Sequence, residues 1–123
     1  MTALIAEDEP DIRLAARLSL KRAGFDVVVA ENGAAALAKV ADVAPDVILL
    51  DWMMPQLDGP ATCAQLKANP ATASIPVIFL TAKSQESEIK RGLALGAVGY
   101  ITKPFDVVGL GTQVRELMVS VTC

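Results

Sequence analysis

Short, uninterrupted apolar runs alternate with longer stretches whose apolar residues recur every three or four positions, and the alternation repeats five times along the chain. Leu4-Ile5-Ala6 is the first run and stops at Glu7-Asp8-Glu9. Pro10 then suits the first turn of a helix, and the acids around it favour the positive end of the helix dipole. Ile12, Ala15, Ala16, Leu20 and Ala23 recur at helical spacing, and Gly24 closes that helix. Val27-Val28-Val29 is a β-branched run and predicts a strand. Asn32 predicts an N-cap for a helix through Leu37 and Val40, with Pro45 as the next break. Val47-Ile48-Leu49-Leu50 is a strand ending at Asp51, and a loop over Trp52 to Gly59 leads to a third helix across Ala61 to Lys67, with Pro60 tolerated in its first turn. Val77-Ile78-Phe79-Leu80 is a strand ending at Thr81. Ser84 is positioned to cap a fourth helix, in which Ile89 and Leu93 share a face. Val98 to Thr102 is a fifth strand, followed by Lys103-Pro104. The last helix carries Val107, Leu110, Val114, Leu117 and Val121 on one stripe, with Gly109 and Gly111 inside it, which predicts that it is the least rigid of the five.

Runs without alternation suit strands buried on both faces, as in a parallel sheet covered by helices. Alternating strands and helices with short links therefore predict an α/β fold with right-handed crossovers and a doubly wound parallel sheet. No repeat, linker or low-complexity tract divides the chain, so residues 1–123 read as one domain. Ligands in such sheets bind beyond the carboxyl ends of the strands.

Composition narrows the classes of function. With 53% hydrophobic and 20% charged residues the chain has material for a packed core. A net charge of -3 leaves no basic stripe for neutralising phosphates, so direct nucleic-acid binding is not expected. There is no histidine and there are two cysteines, Cys63 and Cys123, without a CxxC partner, so a zinc site lacks ligands. Cys63 reads as core packing and Cys123 as a terminal residue. No apolar run reaches the roughly 18 residues of a membrane span, and Met1 to Ala6 leads into acids rather than into a signal sequence. The expected compartment is the cytoplasm, with no membrane partner.

At the expected ligand edge the first strand delivers Glu7 and Asp8, the third Asp51, the fourth Thr81, and the fifth leads to Lys103. Clustered acids repel, and in a partly desolvated cleft that repulsion raises their pKa values unless a cation intervenes. Oxygen ligands alone suit a hard ion that keeps several waters, which describes Mg2+. Such an ion prepares the site for a dianionic phosphoryl group. A carboxylate can attack phosphorus to give an acyl phosphate, Lys103 offers a compact positive charge, and Thr81 offers a hydroxyl donor. The Lys103-Pro104 bond is a candidate cis peptide. Each residue alone has a plainer role: a helix cap, a solvated loop acid, a surface lysine, a strand threonine. Their convergence on one edge carries the functional reading.

The segments Leu4 to Pro10, Leu49 to Gly59, Leu80-Thr81-Ala82 and Gly99 to Phe105 resemble the signature blocks of bacterial two-component response-regulator receiver domains, in order and at family spacing. The resemblance implies a flavodoxin-like (βα)5 sheet of strand order 2-1-3-4-5. It implies that Asp51 is the phosphoacceptor and that Glu7 and Asp8 are the acidic pair, with Asp8 the more direct metal ligand and Glu7 acting mainly through water. Met53 would lend a backbone carbonyl to the metal, Thr81 would be the switch hydroxyl, Lys103 the family lysine, and Tyr100 the aromatic switch. Ala82 leaves room for a phosphodonor, and Met53 and Lys83 flank the phosphoryl site. The implied function is a Mg2+-dependent signalling switch rather than an enzyme. It would be phosphorylated by a sensor histidine kinase or histidine phosphotransfer protein, and it would act on a downstream target or output domain through the face of the fourth helix, fifth strand and fifth helix, as a monomer or weak dimer.

Two other classes fit less well, and two variants of the receiver reading compare with it. A flavin carrier needs hydroxyls and glycines where Glu7-Asp8-Glu9 stands. A haloacid-dehalogenase-type phosphatase needs a second acid where Met53 stands. A receiver fragment of a transcription factor or hybrid kinase would share every motif. A pseudo-receiver binding module would lack part of the acid set or the lysine.

Overall fold

A computed structural model describes residues 1–81, 86–103, 105 and 108–122, with backbone alone at 86–88 and 120–122. The elements follow in strict alternation: β1 (Thr2–Ala6), α1 (Pro10–Arg22), β2 (Asp26–Ala30), α2 (Gly33–Val43), β3 (Val47–Asp51), α3 (Gly59–Ala68), β4 (Val77–Thr81), α4 (Glu86–Ala94), β5 (Gly99–Thr102) and α5 (Leu110–Thr122). All strand pairs are parallel, in the order β2-β1-β3-β4-β5.

The unalternating strands do have two buried faces. Leu4, Ala6, Ile48, Leu50, Val77 and Phe79 point to one side and pack with Ala36, Val40, Cys63 and Leu66 of α2 and α3. Their neighbours Ala3, Ile5, Val47, Leu49, Ile78 and Leu80 point to the other and pack with Ala16 and Leu20 of α1 and Leu110 and Val114 of α5. Side chains of one strand thus build two cores, because successive residues face opposite sides.

Local signals place the helix ends. Asn32 accepts a hydrogen bond from the Ala35 amide at 2.8 Å, and Asp58 does the same for Ala61 at 2.8 Å, each satisfying an otherwise orphaned donor. Gly24 closes α1 at a φ of +97°, and Ala44 takes the left-handed conformation after α2.

Three expectations shift. β1 begins at Thr2 rather than Leu4, because Thr2 pairs with Asp26. β5 begins at Gly99, not Val98. Gly109 precedes α5 instead of lying within it, and Gly111 sits in its first turn, where α5 crosses α1. A Cβ at Gly111 would overlap Ala23 Cβ and lie 3.0 Å from the Ser19 carbonyl, and the Gly111 amide donates to Ser19 Oγ at 3.2 Å. That glycine is a packing requirement of the α1–α5 contact. The Ser84 cap, Ala82, Lys83, Pro104 with its peptide bond, Val107 and Cys123 lie outside the described residues, as does the side chain of Val121. Among the described residues no helix is long and apolar enough to cross a membrane.

Candidate functional site

Strand register assembles the site. Ala6 lies beside Leu50, so the next residues, Glu7 and Asp51, leave adjacent strand tips together. Asp51 pairs with Leu80, which puts Thr81 one step beyond, and Thr81 pairs with Thr102, which hands the chain to Lys103. The Lys103 amide then donates to the Thr81 carbonyl at 2.7 Å, bending the chain back over the rim. The pairing thus brings together Glu7, Asp8, Asp51, Thr81 and Lys103, the residues the sequence singled out.

Carboxylate oxygens of Glu7, Asp8 and Asp51 all lie within 4.8 Å of one another. Glu7 is fully buried and Asp51 nearly so, whereas Asp8 is exposed at the mouth. The Lys103 ammonium bridges the two buried acids, with Nζ 2.6 Å from Glu7 Oε1 and 2.9 Å from Asp51 Oδ1. By distance the first contact is an ion pair, but its angle leaves Glu7 Oε1 without a well-directed hydrogen bond. The charge attraction is the interaction that offsets its burial.

Burial pushes the Glu7 carboxyl up to about 7, reinforced by its hydrogen bond with Asp51 and opposed by Lys103. Burial alone would lower the Lys103 ammonium, but its close contacts with the Glu7 and Asp51 carboxylates and their charges outweigh it, and the net shift is upward. Three acids against one lysine leave a surplus of negative charge. A buried oxygen lacking a directed donor, next to two further carboxylates at coordinating distance, is a donor set that fits a hard divalent cation. Met53, expected to lend its carbonyl, lies in the β3–α3 loop with its side chain facing solvent.

Beside the acids, Trp52, Phe79, Thr81, Ile89, Gly92, Leu93, Gly99 and Tyr100 line a cleft of about 280 Å3, including its open mouth. Thr81 is buried and Tyr100 partly exposed on the edge strand β5. Trp52 meets Phe79 edge to face at 4.9 Å, and Arg91 of α4 lies 5.9 Å over the indole. Cys63 packs in the core, donating to the Leu95 carbonyl at 3.8 Å, and burial pushes its thiol up. It takes no part in the site.

Two features escaped the sequence reading. Gly59 packs so closely under the β3–α3 loop that a Cβ there would overlap the Asp51 carbonyl, and its amide donates to the Trp52 carbonyl at 3.1 Å. Arg13, in α1, donates from Nη1 to the Glu7 carbonyl at 2.9 Å. Its signal was available: a cation near a helix N-terminus runs against the dipole and needs a partner.

The response regulator receiver domain family matches residues 3–115. Among curated proteins, the chain is 45% identical over 117 residues to the phosphate regulon transcriptional regulatory protein PhoB of Pseudomonas aeruginosa, covering 95% of this chain and 51% of that protein. It is 43% identical over 105 residues to Protein PilG of the same organism, covering 85% and 78%. The chain thus spans about half the length of the PhoB relative and most of PilG. Among solved structures, the chemotaxis protein CheY4 of Vibrio cholerae superposes with a TM-score of 0.89 at 28% identity, over 94% of this chain and 97% of that one. The signal receiver domain of a signal transduction histidine kinase from Syntrophus aciditrophicus superposes with 0.85 at 36% identity, over 98% and 91%.

Proposed function

The chain belongs to the response regulator receiver domain family, which makes it a phosphorylation-dependent two-component signalling domain, and from that premise we propose that Asp51 is its phosphoacceptor and that Glu7, Asp8 and Asp51, with the Met53 carbonyl, hold Mg2+. The observation that carries the reading is the triad of carboxylates within 4.8 Å of one another, two of them gripped by one lysine.

The chemistry follows from these side chains. An Asp51 carboxylate oxygen attacks the phosphorus of a phosphohistidine, the P–N bond breaks, its electron pair leaves with the imidazole, and an acyl phosphate forms on Asp51. When bound, the cation supplies charge neutralisation for the phosphoryl oxygens. Lys103 already sits 2.9 Å from Asp51 Oδ1 and offers its charge to the incoming group. Thr81 supplies a hydroxyl from the adjacent strand tip, and it shares the cleft with Tyr100. Movement of Thr81 toward the phosphoryl group frees space for the Tyr100 ring and biases the face of α4, β5 and α5 between two states. The donor is a histidine kinase or histidine phosphotransfer protein, the recipient of the signal is a target protein or output domain, and the domain works in the cytoplasm. It assists its own phosphorylation and hydrolysis and is a switch, not an enzyme with a released product.

Incubation with Mg2+ and acetyl phosphate, read by intact mass, tests the acceptor. The expected outcome is one added phosphoryl group, lost on chelation and in Asp51→Asn. Labelling of Asp51→Asn as complete as that of the parent removes the assignment.

A further inference from the structure

We propose that Arg13 is a positioning residue for the cation site, fixing the Glu7–Asp8 turn so that both carboxylates face Asp51. The inference rests on reading Glu7, Asp8 and Asp51 as cation ligands and adds a residue that touches none of the ligand atoms.

The backbone of Glu7 leaves the sheet at the end of β1, where ladder pairing stops at Ala6. Its amide still finds the Ala30 carbonyl on β2 at 3.1 Å. Its carbonyl points toward α1, and Arg13 Nη1 donates to it at 2.9 Å. One residue is therefore held on both sides, by the sheet through its N–H and by a helix through its C=O. Because Glu7 is fully buried, a carbonyl without that donor would be left unsatisfied, and the turn would have to shift to find one. Glu7 Oε2 in addition accepts from the Glu9 amide at 3.3 Å, so the Glu7 side chain is oriented through the same turn that the Arg13 bond pins. Asp8 lies between the two fixed residues.

Charge alone makes Arg13 an odd choice. It stands on the first turns of α1, where the dipole disfavours a cation, and close to a site that must itself attract one. A guanidinium kept there works through its hydrogen bond to the Glu7 carbonyl, for which a lysine of different reach and shape is an imperfect substitute.

These two roles predict opposite signs for the same substitution. If Arg13 acts only as a nearby positive charge, Arg13→Ala tightens Mg2+ binding and Arg13→Lys leaves it unchanged. If it positions the turn, Arg13→Ala weakens Mg2+ by about tenfold or more, the scale seen when groups that orient metal ligands are removed. Arg13→Lys then recovers only part of that loss. Calorimetric Mg2+ titration of parent, Arg13→Ala, Arg13→Lys and Asp8→Asn, each with a thermal melt in chelator, separates the outcomes. Loss of Mg2+ affinity in Arg13 variants that melt cooperatively is the expected result. Unchanged or tighter Mg2+ in Arg13→Ala, with Asp8→Asn weakened, overturns the positioning role and leaves the metal reading standing. A parent that takes up no Mg2+ overturns both.

Discussion

Glu7 is fully buried with one oxygen lacking a directed donor, held in place chiefly by a lysine from the far edge of the sheet. Its carboxyl lies at about 7 in the folded chain against 4.5 when unfolded, so between those values the folded state binds more protons than the unfolded one. Stability contributed by the protonated group is complete below pH 4.5 and is lost as pH rises through about 7. In chelator, the urea midpoint therefore falls across this window, by about 3 kcal/mol in stability at most, the attraction of Lys103 being already included in the shift. Glu7→Gln flattens the slope. A parent whose midpoint is level from pH 5 to 7.5 contradicts the burial account. At this scale the sequence disclosed which side chains meet at one rim, because acids, hydroxyl and lysine each close a strand. It could not disclose that Glu7 is the buried acid and Asp8 the exposed one, since adjacent residues diverge only once the chain bends out of the sheet. For Arg13 the sequence showed a cation out of place near a helix N-terminus but not its partner, which is a backbone carbonyl.

Helix placement was legible wherever a local signal ends a helix. Asn32 and Gly24 sit at helix ends and act there as cap and closer, as the sequence predicts. Glycines were misread where their cause is tertiary. Gly111 looked like a weak point inside a helix, yet it is the place where α5 meets α1, beside Arg115 donating from Nε to the Ala23 carbonyl at 2.8 Å and lying over Phe25. Gly33, first residue of α2, is likewise fixed by a tertiary contact, though it escaped the sequence reading. A Cβ there would overlap Thr62 Oγ1 and lie 2.6 Å from the Leu57 carbonyl, between α3 and the loop that follows Asp51. In an ordinary helix, glycine to alanine is stabilising by up to about 1 kcal/mol. Here the sign reverses: Gly33→Ala is expected to cost about 2 kcal/mol by overpacking, measured by chemical denaturation. A stabilised Gly33→Ala would show that α2 and α3 have room to separate and that the contact is not tight.

Across the whole molecule, the α/β class and the burial of both sheet faces followed from unalternating apolar runs, and the strand order followed from family resemblance alone. Register is what converts that order into function, because it sets Glu7, Asp51, Thr81 and Lys103 at neighbouring strand tips. The arrangement concentrates acids that a cation or protons can reconcile, so in the proposed Mg2+ site proton and metal compete for the same oxygens. A cation that binds the folded chain and not the unfolded one stabilises it by about 2.7 kcal/mol at a hundredfold excess over its Kd, on the order of 10 °C in melting temperature for a domain of this size. Because the Glu7 proton leaves at about 7, that gain is smaller at pH 6 and larger at pH 8, while the metal-free protein moves the opposite way over the same interval. Melts in Mg2+ and in chelator should therefore diverge as pH rises, and Asp8→Asn should bring the two curves together. Equal gaps at pH 6 and pH 8 would mean that Glu7 does not share its proton with the cation site.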